Sequence, residues 1–236
     1  MNFLAIILAR GGSKGIPGKN IKSFCDKPLI SWTIRQANHA KIFTKIVVSS
    51  DSKDIIETSL KNGAEAPFIR PKSLSQDNSS SIDAIYHCLD FYEKNGVYFD
   101  AVCLLEPTSP LRTPSQLKAI INSFIERQET HDSLITVGKI RESVEIFKKL
   151  EQEDLKPYFG SKHSQIRRQE SKQAYFPYGV AYISKIETLR KEKTFYSNRC
   201  TYYQVDDNQC FEIDEIYDFE VCEFLFKRYF INLQKL

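Results

Sequence analysis

The segment from residue 8 to residue 20 is the part of the chain richest in groups that can do chemistry. It combines three cations with four glycines: Arg10, Lys14 and Lys19, and Gly11, Gly12, Gly15 and Gly18. Glycines let main-chain N–H groups approach an anion closely, and the cations neutralise its charge. This combination suits a polyphosphate, whose charge must be neutralised before a nucleophile can approach. A surface turn rich in Gly and Lys has the same composition, so composition alone leaves both interpretations open.

The loop differs from two common nucleotide-binding motifs. Lys19 is followed by Asn20, where the P-loop motif requires Ser or Thr as a magnesium ligand. The glycine spacing also departs from the GxGxxG pattern. The loop nevertheless follows an apolar run at residues 3–9 that is predicted to be a buried strand, and open α/β sheets bind ligands at the carboxyl ends of their strands.

The composition is that of an ordinary folded domain. The 236 residues are 42% hydrophobic and 27% charged, which excludes a disordered chain. No uncharged apolar run approaches the roughly 18 to 20 residues of a membrane-spanning helix, so no membrane span is expected. The formal net charge is only +3, so we expect no dedicated nucleic-acid surface, and any basic chemistry must be local.

The cysteines and the first residues bear on the compartment. Six cysteines are scattered without a CxxC pair or a Cys/His cluster, so zinc is not expected. The first ten residues lack the charged region and the cleavage site of a signal peptide, and they are interpreted as a strand. We therefore expect a cytoplasmic protein with reduced thiols.

Alternating apolar segments and helical patterns predict the organisation of the chain. Strands are predicted at residues 3–9, 45–49, 101–105, 134–137 and 179–184. Helices are predicted to begin at Pro28, after the cap candidates Asp51 and Ser52, over residues 81–94, at a capping box from Thr113 to Gln116, and over residues 216–229. This alternation predicts an α/β fold, a Rossmann-like, doubly wound, mostly parallel sheet, in a single domain over residues 1–236. The rhythm breaks over residues 139–178, which are predicted to be an inserted arm or subdomain.

The order of residues in the glycine-rich loop resembles the signature of the N-acylneuraminate cytidylyltransferases, the CMP-sialic acid synthetase family. The family's A-R-x-x-S-K-G-x-x-x-K-N is matched at Ala9, Arg10, Ser13, Lys14, Gly15, Lys19 and Asn20. Further blocks follow in order along almost the whole chain: residues 47–51, Arg70-Pro71 with Asp77 and residues 79–81, then 104–112, 168–169, 179–183 and 211–214. Lys14-Gly15 departs from the loops of Kdo synthetases and of sugar-1-phosphate nucleotidyltransferases, which disfavours both classes.

The resemblance implies an enzyme that joins CTP to a 2-keto sugar acid of the sialic acid type. Attack of the anomeric hydroxyl on the α-phosphorus would give a CMP-sugar and pyrophosphate, and it needs mainly alignment and charge neutralisation. The resemblance implies catalytic roles for Lys19, Arg10 and Asp214. The nucleotide would contact Arg10, Gly12, Ser13, Lys14, Lys19, Asn20, Arg70 and Ser81. The alternative for Arg70 is a solvated surface charge.

The resemblance also implies a Mg²⁺ site at Glu212 and Asp214, where the family has a D-I-D motif. The i, i+2 spacing would put both carboxylates on one face of an extended strand, where they offer the hard oxygen ligands that Mg²⁺ takes. One of them, with Asp214 preferred, would accept the hydroxyl proton. The alternative for Asp214 is to cap the helix that begins near Ile216.

For the sugar acid, the resemblance implies contacts with Glu106, Thr108, Ser109, Arg168, Phe176 and Tyr178. Arg168, with Arg167 as the neighbouring alternative, is the candidate partner of the sugar carboxylate. Glu106 replaces the Gln of sialic acid enzymes, and Phe176-Pro177-Tyr178 stands where some of them have Arg-Pro-Asn. The acceptor could therefore be legionaminic or another nonulosonic acid, unless these positions face the arm instead of the sugar.

The segment at residues 139–178 resembles the family's dimerisation arm, so we expect a homodimer. The competing class of protein is a nucleotide-binding module that has lost turnover. Such a protein should have lost Lys19 or the Glu212/Asp214 pair, and this chain has kept them. An enzyme is therefore favoured.

Overall fold

A computed structural model describes residues 1–159 and 172–234. Within those residues the strands are β1 (Phe3–Leu8), β2 (Ser23–Phe24), β3 (Lys27–Pro28), β4 (Lys45–Ser49), β5 (Ala101–Leu104), β6 (Ser133–Lys139), β7 (Lys148–Glu151), β8 (Asp154–Pro157), β9 (Tyr175–Lys185) and β10 (Cys200–Gln204). The α-helices are α1 (Leu29–Ala40), α2 (Lys53–Lys61), α3 (Ser81–Lys94), α4 (Pro114–Arg127), α5 (Ile186–Glu192) and α6 (Ile216–Leu225). The predicted α/β class is confirmed.

Six strands form the central sheet in the order β10-β6-β9-β5-β1-β4. Strands β4, β1 and β5 are parallel, and so are β6 and β10. Strand β9 is antiparallel to both of its neighbours, β5 and β6. The mostly parallel sheet is therefore confirmed, although the sequence patterns predict neither β10 nor the antiparallel direction of β9.

Strand β1 is buried on both faces of the sheet, which accounts for its unbroken apolar sequence. Phe3, Ala5 and Ile7 join one hydrophobic core together with α1 and α4. Leu4 and Ile6 join the opposite core together with α3 and α5. Helices therefore cover both faces of the sheet, as parallel strands require.

Local capping signals place two helices of these layers. The hydroxyl of Ser80 accepts the N–H of Ile82, and α3 has its predicted bounds. The hydroxyl of Thr113 accepts the N–H of Gln116 and caps α4 as predicted. The side chain of Gln116 donates to Gln209 instead of turning back to Thr113, so the reciprocal half of the predicted capping box is wrong.

A third hydrophobic core holds the glycine-rich loop and the β2/β3 hairpin against α6. Ile16 of the loop and Phe24 of the hairpin belong to it, with Trp32, Phe219 and Phe226. The ring centroids of Trp32 and Phe226 lie 4.5 Å apart. The loop is thus fixed at a buried residue between its cations.

The last predicted helix is only partly regular. Helix α6 is followed directly by a π-helical turn, Phe226–Phe230, so the pattern over residues 216–229 spans two kinds of helix. Within the described part of the chain, no helix is both long enough and apolar enough to cross a membrane.

The predicted arm at residues 139–178 begins at the last residue of β6 and ends within β9. Strands β7 and β8 form an antiparallel hairpin in which Leu150 pairs with Leu155. These two side chains are 80% and 66% exposed, and Tyr158 and Phe159 beside them are also exposed. Within the described residues, the predicted arm therefore contains an exposed hairpin, and its residues from Tyr175 onward belong to β9 of the central sheet.

Candidate active site

The loops that follow β1 and β5 meet at a cavity of about 230 Å³ at the carboxyl ends of these strands. Predicted site residues from both loops and from the start of α3 line it: Arg10, Ser13, Lys19, Asn20, Ser81, Glu106 and Thr108. A second cavity of about 210 Å³ shares Arg10 and Ser81 with the first and adds Arg70. The structure therefore brings together most of the residues predicted to contact the nucleotide.

Arg70 lies in the wall of the second cavity and is only 4% exposed. Its Nε donates to the hydroxyl of Ser75 at 2.9 Å, and its main-chain N–H donates to the carbonyl of Ser50 at 2.8 Å. Burial lowers the pKa of the guanidinium, and the charge of Asp51 partly offsets this effect. Arg70 is therefore not the solvated surface charge that was its alternative.

Two contacts fix the path of the glycine-rich loop. The N–H of Gly11 donates to Asp51 Oδ1 at 2.9 Å. Asp51 therefore holds the loop. It does not cap α2, although the sequence made it a cap candidate. Gly15 lies against the main chain of Asp214, and a Cβ on Gly15 would collide with that residue's carbonyl oxygen. Position 15 must be glycine for this close approach, whereas nothing lies within 4 Å of a Cβ placed on Gly12.

Lys19 joins the loop to the carboxylate segment near the carboxyl end of the chain. Its Nζ donates to the carbonyl of Ile213 at 2.6 Å and lies 3.5 Å from Asp214 Oδ1. The Lys19 side chain is 12% exposed, whereas that of Asp214 is 80% exposed. The structure thus places one catalytic candidate beside another.

Asp214 does not cap α6. Glu215 is the N-cap and forms a reciprocal capping box with Asp218. Asp218 also accepts the N–H of Asp214 at 3.0 Å. The capping alternative for Asp214 is therefore wrong by one residue, and its carboxylate is left to its ion pair with Lys19.

Arg10 and Lys14 are paired with a carboxylate from another loop. Arg10 Nη1 lies 2.6 Å from Asp77 Oδ1, and Lys14 Nζ lies 2.5 Å from Asp77 Oδ2. The hydrogen bond from Lys14, and to a lesser extent the one from Arg10, lowers the pKa of Asp77. Asp77 belongs to the R-P…D…S-S block, but sequence reasoning assigned no role to Asp77 itself.

Two glutamates meet at Gly179 of β9. A Cβ placed on Gly179 would stand 2.9 Å from both Glu106 Cβ and Glu212 Oε1. Glu212 Oε1 accepts the N–H of Gly179 at 2.5 Å and the hydroxyl of Ser109 at 3.3 Å, while Thr108 donates to Glu106 at 3.3 Å. Burial, followed by the charge of Glu212, raises the pKa of Glu106, and burial also raises the pKa of Glu212.

Arg112 binds the main chain next to these glutamates, and its role was missed from the sequence. It is fully buried, and its Nη2 donates to the carbonyls of Glu106, of Ser109 at 2.7 Å and of Gly179 at 3.2 Å. Burial lowers the pKa of Arg112 to about 10. One guanidinium therefore ties the loop after β5 to β9, and the available signal was an arginine at the end of the Pro-rich block at residues 104–112.

The residues predicted to bind Mg²⁺ have suitable chemistry and incomplete geometry. Their segment is not a strand, and it runs beside the loop after β5 through a 2.8 Å bond from Ile213 N–H to the Thr108 carbonyl. Both hydrogen bonds of Glu212 go to Oε1, and the charge of Asp214 helps to raise the pKa of Glu212. Across the described ranges, no group of three or more His, Cys, Asp or Glu residues could hold a metal. Two carboxylates with phosphate and water oxygens still fit Mg²⁺.

A third cavity, of about 210 Å³, adjoins the first across Glu106 and Ser81. Tyr182 and Tyr196 line it, and neither was predicted as a site residue. Burial, followed by the charges of Glu106 and Glu212, raises the pKa of Tyr182. The signal for Tyr182 was its place in the block at residues 179–183.

Two of the sugar candidates, Phe176 and Tyr178, are not brought to these cavities. Phe176 and Tyr178 line a separate cavity of about 460 Å³ beside the base of the arm, together with Arg141 and Cys210. Their ring centroids lie 5.2 Å apart. Arg168 lies outside the described residues, so its predicted role stays a prediction.

Comparison with known sequences identifies the class of enzyme. The chain matches the model of the family described as Cytidylyltransferase over residues 4–235. The chain belongs to this family. The cytidylyltransferase is therefore a nucleotidyltransferase, and the resemblance carried by its motifs is confirmed.

Two curated relatives and one solved structure are similar to this cytidylyltransferase. Pseudaminic acid cytidylyltransferase of Campylobacter jejuni is 34% identical over 227 residues, which cover 96% of this chain and 97% of that protein. N-acylneuraminate cytidylyltransferase of Escherichia coli O18:K1:H7 is 29% identical over 93% of this chain and 51% of that protein. The structure of CMP:2-keto-3-deoxy-manno-octonic acid synthetase complexed with CTP shares the fold, with a TM-score of 0.68 at 16% identity over 97% of this chain and 99% of that one.

Proposed function

We propose that this cytidylyltransferase transfers CMP from CTP to the anomeric hydroxyl of a nonulosonic acid. The observation that carries the proposal is the junction at Lys19, which binds the carbonyl of Ile213 and lies 3.5 Å from Asp214. This junction puts the cationic loop and a carboxylate at one site, as a phosphoryl-type transfer to a hydroxyl requires. Relatives named for pseudaminic acid and N-acylneuraminate support the class of acceptor.

Different parts of the nucleotide bind in the two adjoining cavities. Arg10, Lys14 and Lys19 neutralise the triphosphate, because they are the cations of the loop after β1. Arg70 and Ser81 hold the base and ribose in the second cavity, whose buried guanidinium offers directed donors. This division places the α-phosphate near the cavity that Glu106 and Thr108 also line.

Asp214 and Glu212 have separate tasks in this proposal. The carboxylate of Asp214 accepts the proton of the attacking hydroxyl, and its exposure lets the proton pass on to water. Glu212 is oriented by the N–H of Gly179 and the hydroxyl of Ser109. Mg²⁺ held by these carboxylates would supply charge neutralisation at the α-phosphate.

The acceptor lies between Glu106 and the third cavity. Glu106 lines both the first and the third cavities, so a sugar next to the α-phosphate reaches Tyr182 and Tyr196. The aromatic walls suit the substituents of a nine-carbon sugar acid, and Glu106 accepts hydrogen bonds where an amide would also donate them. Pseudaminic or legionaminic acid is therefore proposed ahead of N-acetylneuraminic acid.

We also propose that two copies of the chain associate through the β7/β8 hairpin. Leu150 and Leu155, which pair across the hairpin, and Tyr158 and Phe159, whose rings are in contact, are exposed apolar side chains that a second copy would cover. A protein carrying both Leu150→Asp and Leu155→Asp should be monomeric in sedimentation velocity, and Glu153→Lys at the turn of the hairpin should stay dimeric. A monomeric unaltered protein would refute this proposal.

Pyrophosphate release tests the reaction directly. The protein is incubated with CTP, Mg²⁺ and one sugar acid at a time, namely pseudaminic, legionaminic and N-acetylneuraminic acid, with UTP and sugar-free mixtures as controls. Release that depends on both CTP and a sugar acid, with the CMP-sugar seen by mass spectrometry, supports the proposal. Binding of CTP without release for any acceptor would instead support a nucleotide-binding module.

A further inference from the structure

Asp77 makes a two-pronged contact with cations of the glycine-rich loop. Its Oδ1 lies 2.6 Å from Arg10 Nη1 and its Oδ2 lies 2.5 Å from Lys14 Nζ. A phosphate group binds two cations in the same way, with one oxygen on each. The cations follow β1, whereas Asp77 belongs to the loop before α3, so the contact joins two loops at the edge of the second cavity.

We propose that Asp77 is a positioning residue that occupies the polyphosphate site of the unliganded enzyme, and that an incoming triphosphate must displace its carboxylate from Arg10 and Lys14. This inference rests on the proposed function only in identifying the triphosphate as that of CTP. The anion site itself follows from two cations that one carboxylate already bridges.

The contact between Asp77 and the two cations is weak enough for a triphosphate to replace it. The side chains of Asp77 and Lys14 are 47% and 78% exposed, and exposed ion pairs stabilise a protein only weakly. A triphosphate carries several negative charges and therefore outcompetes a single carboxylate for the same cations. Until it arrives, Asp77 offsets the repulsion between Arg10 and Lys14 and keeps both side chains at one place.

The loop that carries Asp77 has hydrogen bonds of its own. The hydroxyl of Ser79 donates to the carbonyl of Ser73 at 2.8 Å, and the N–H of Gln76 donates to that same hydroxyl at 3.0 Å. Ser75 is held by Arg70 at 2.9 Å. Releasing the carboxylate of Asp77 therefore leaves these contacts in place, and only one side chain has to move.

Binding of inorganic tripolyphosphate and of CTP to Asp77→Asn tests the inference by isothermal titration calorimetry. The amide keeps the size of the side chain and removes its charge. We expect both ligands to bind about 2- to 10-fold more tightly than to the unaltered protein, the effect of removing weak exposed ion pairs. The ratio of the affinity of Asp77→Asn to that of the unaltered protein should fall toward one as salt is added, because salt screens exposed charges. In steady-state kinetics the KM for CTP should fall while kcat is retained.

Two matched variants serve as controls. Asp77→Glu keeps the charge and should bind both ligands close to the unaltered affinity. Glu57→Gln, on the exposed face of α2, changes the net charge equally and should not tighten binding.

The outcomes separate this inference from the proposed function. If tripolyphosphate fails to bind either protein, or binds Asp77→Asn no more tightly, the inference is overturned even when CTP is turned over normally. A higher KM or a lower kcat in Asp77→Asn overturns it too, because Asp77 would then assist the bound triphosphate. Tighter tripolyphosphate binding with no CTP binding would uphold the inference and refute the proposed function.

Discussion

The ammonium group of Lys19 donates a hydrogen bond to the main-chain carbonyl of Ile213, a residue 194 positions further along the chain. The bond is 2.6 Å long, and it joins the first loop of the fold to the segment that precedes α6. Because Asp214 follows Ile213, the same ammonium also lies 3.5 Å from a carboxylate. Lys19 therefore fixes the distance between the cationic and the acidic halves of the site.

Replacing Lys19 with Ala should reduce kcat at least about 100-fold, the scale of removing one key electrostatic stabiliser. The loss has two physical causes: one positive charge disappears, and Asp214 loses the contact that positions it. Pyrophosphate release with saturating CTP measures the effect. Lys61→Ala, at the exposed end of α2, is the control and should retain activity. Near-normal turnover of Lys19→Ala would contradict the assigned role.

Replacing Gly15 with Ala should destabilise the protein by about 1–3 kcal/mol, the usual cost of overpacking. The added Cβ collides with the carbonyl of Asp214, so the loop and the acidic segment must separate. Urea unfolding measures the change. Gly12→Ala is the matched control, since its Cβ meets nothing within 4 Å, and equal stabilities of the two variants would show that the approach at Gly15 is not tight.

Replacing Arg112 with Lys should lower the free energy of unfolding by about 2–4 kcal/mol. The Nζ of Lys lies one bond closer to the main chain than Nη2, so it cannot reach the three buried carbonyls to which Nη2 donates. Those carbonyls belong to Glu106, Ser109 and Gly179. Thermal and urea denaturation measure the loss. Arg127→Lys removes a guanidinium that binds the Tyr202 carbonyl at the surface and should cost less than about 1 kcal/mol. Similar losses in both variants would argue against a special role for the buried site.

Replacing Glu106 with Gln should stabilise the protein at alkaline pH and leave its stability unchanged at acid pH. Burial and Glu212 raise the pKa of Glu106 in the folded state. Its protonated form is therefore favoured by folding, and that stability is present below the unfolded pKa of about 4.3 and lost as pH rises through the raised folded pKa. Gln at position 106 does not titrate, so this loss disappears.

Urea unfolding in the presence of EDTA, from pH 4.5 to pH 8.5, measures the difference between Glu106→Gln and the unaltered protein. The gain should grow with pH. Glu57→Gln corrects for the change in net charge at an exposed position. A difference that stays constant across this range would show that Glu106 titrates as it does in the unfolded chain.

Local signals predicted much of the fold. The bounds of α3 and the start of α4 agree with the sequence because Ser80 and Thr113 bind N–H groups only two and three residues away. The direction of β9 was not predicted, because its apolar run fits either direction and its neighbours β5 and β6 decide it. Strand β10 was also missed, since its exposed residues lack the pattern of a buried strand.

The sequence predicted which residues belong to the site better than it predicted which of them contact each other. The loop and the acidic pair were found because their residue types stand together in the sequence. Asp51 was mistaken for a helix cap, since its partner Gly11 lies on another loop. The approach of Glu106 to Glu212 depends on Gly179, which only the packing of three separate segments reveals.

The place of β9 in the sheet has a consequence for synthesis of the chain on the ribosome. Strands β4, β1 and β5 can pair as soon as they emerge, but β5 then presents an open edge until residues 175–185 follow. Open edges invite pairing with other chains. The nascent protein thus carries an aggregation risk at Ala101–Leu104, and closure of that edge also brings Gly179 to Glu106.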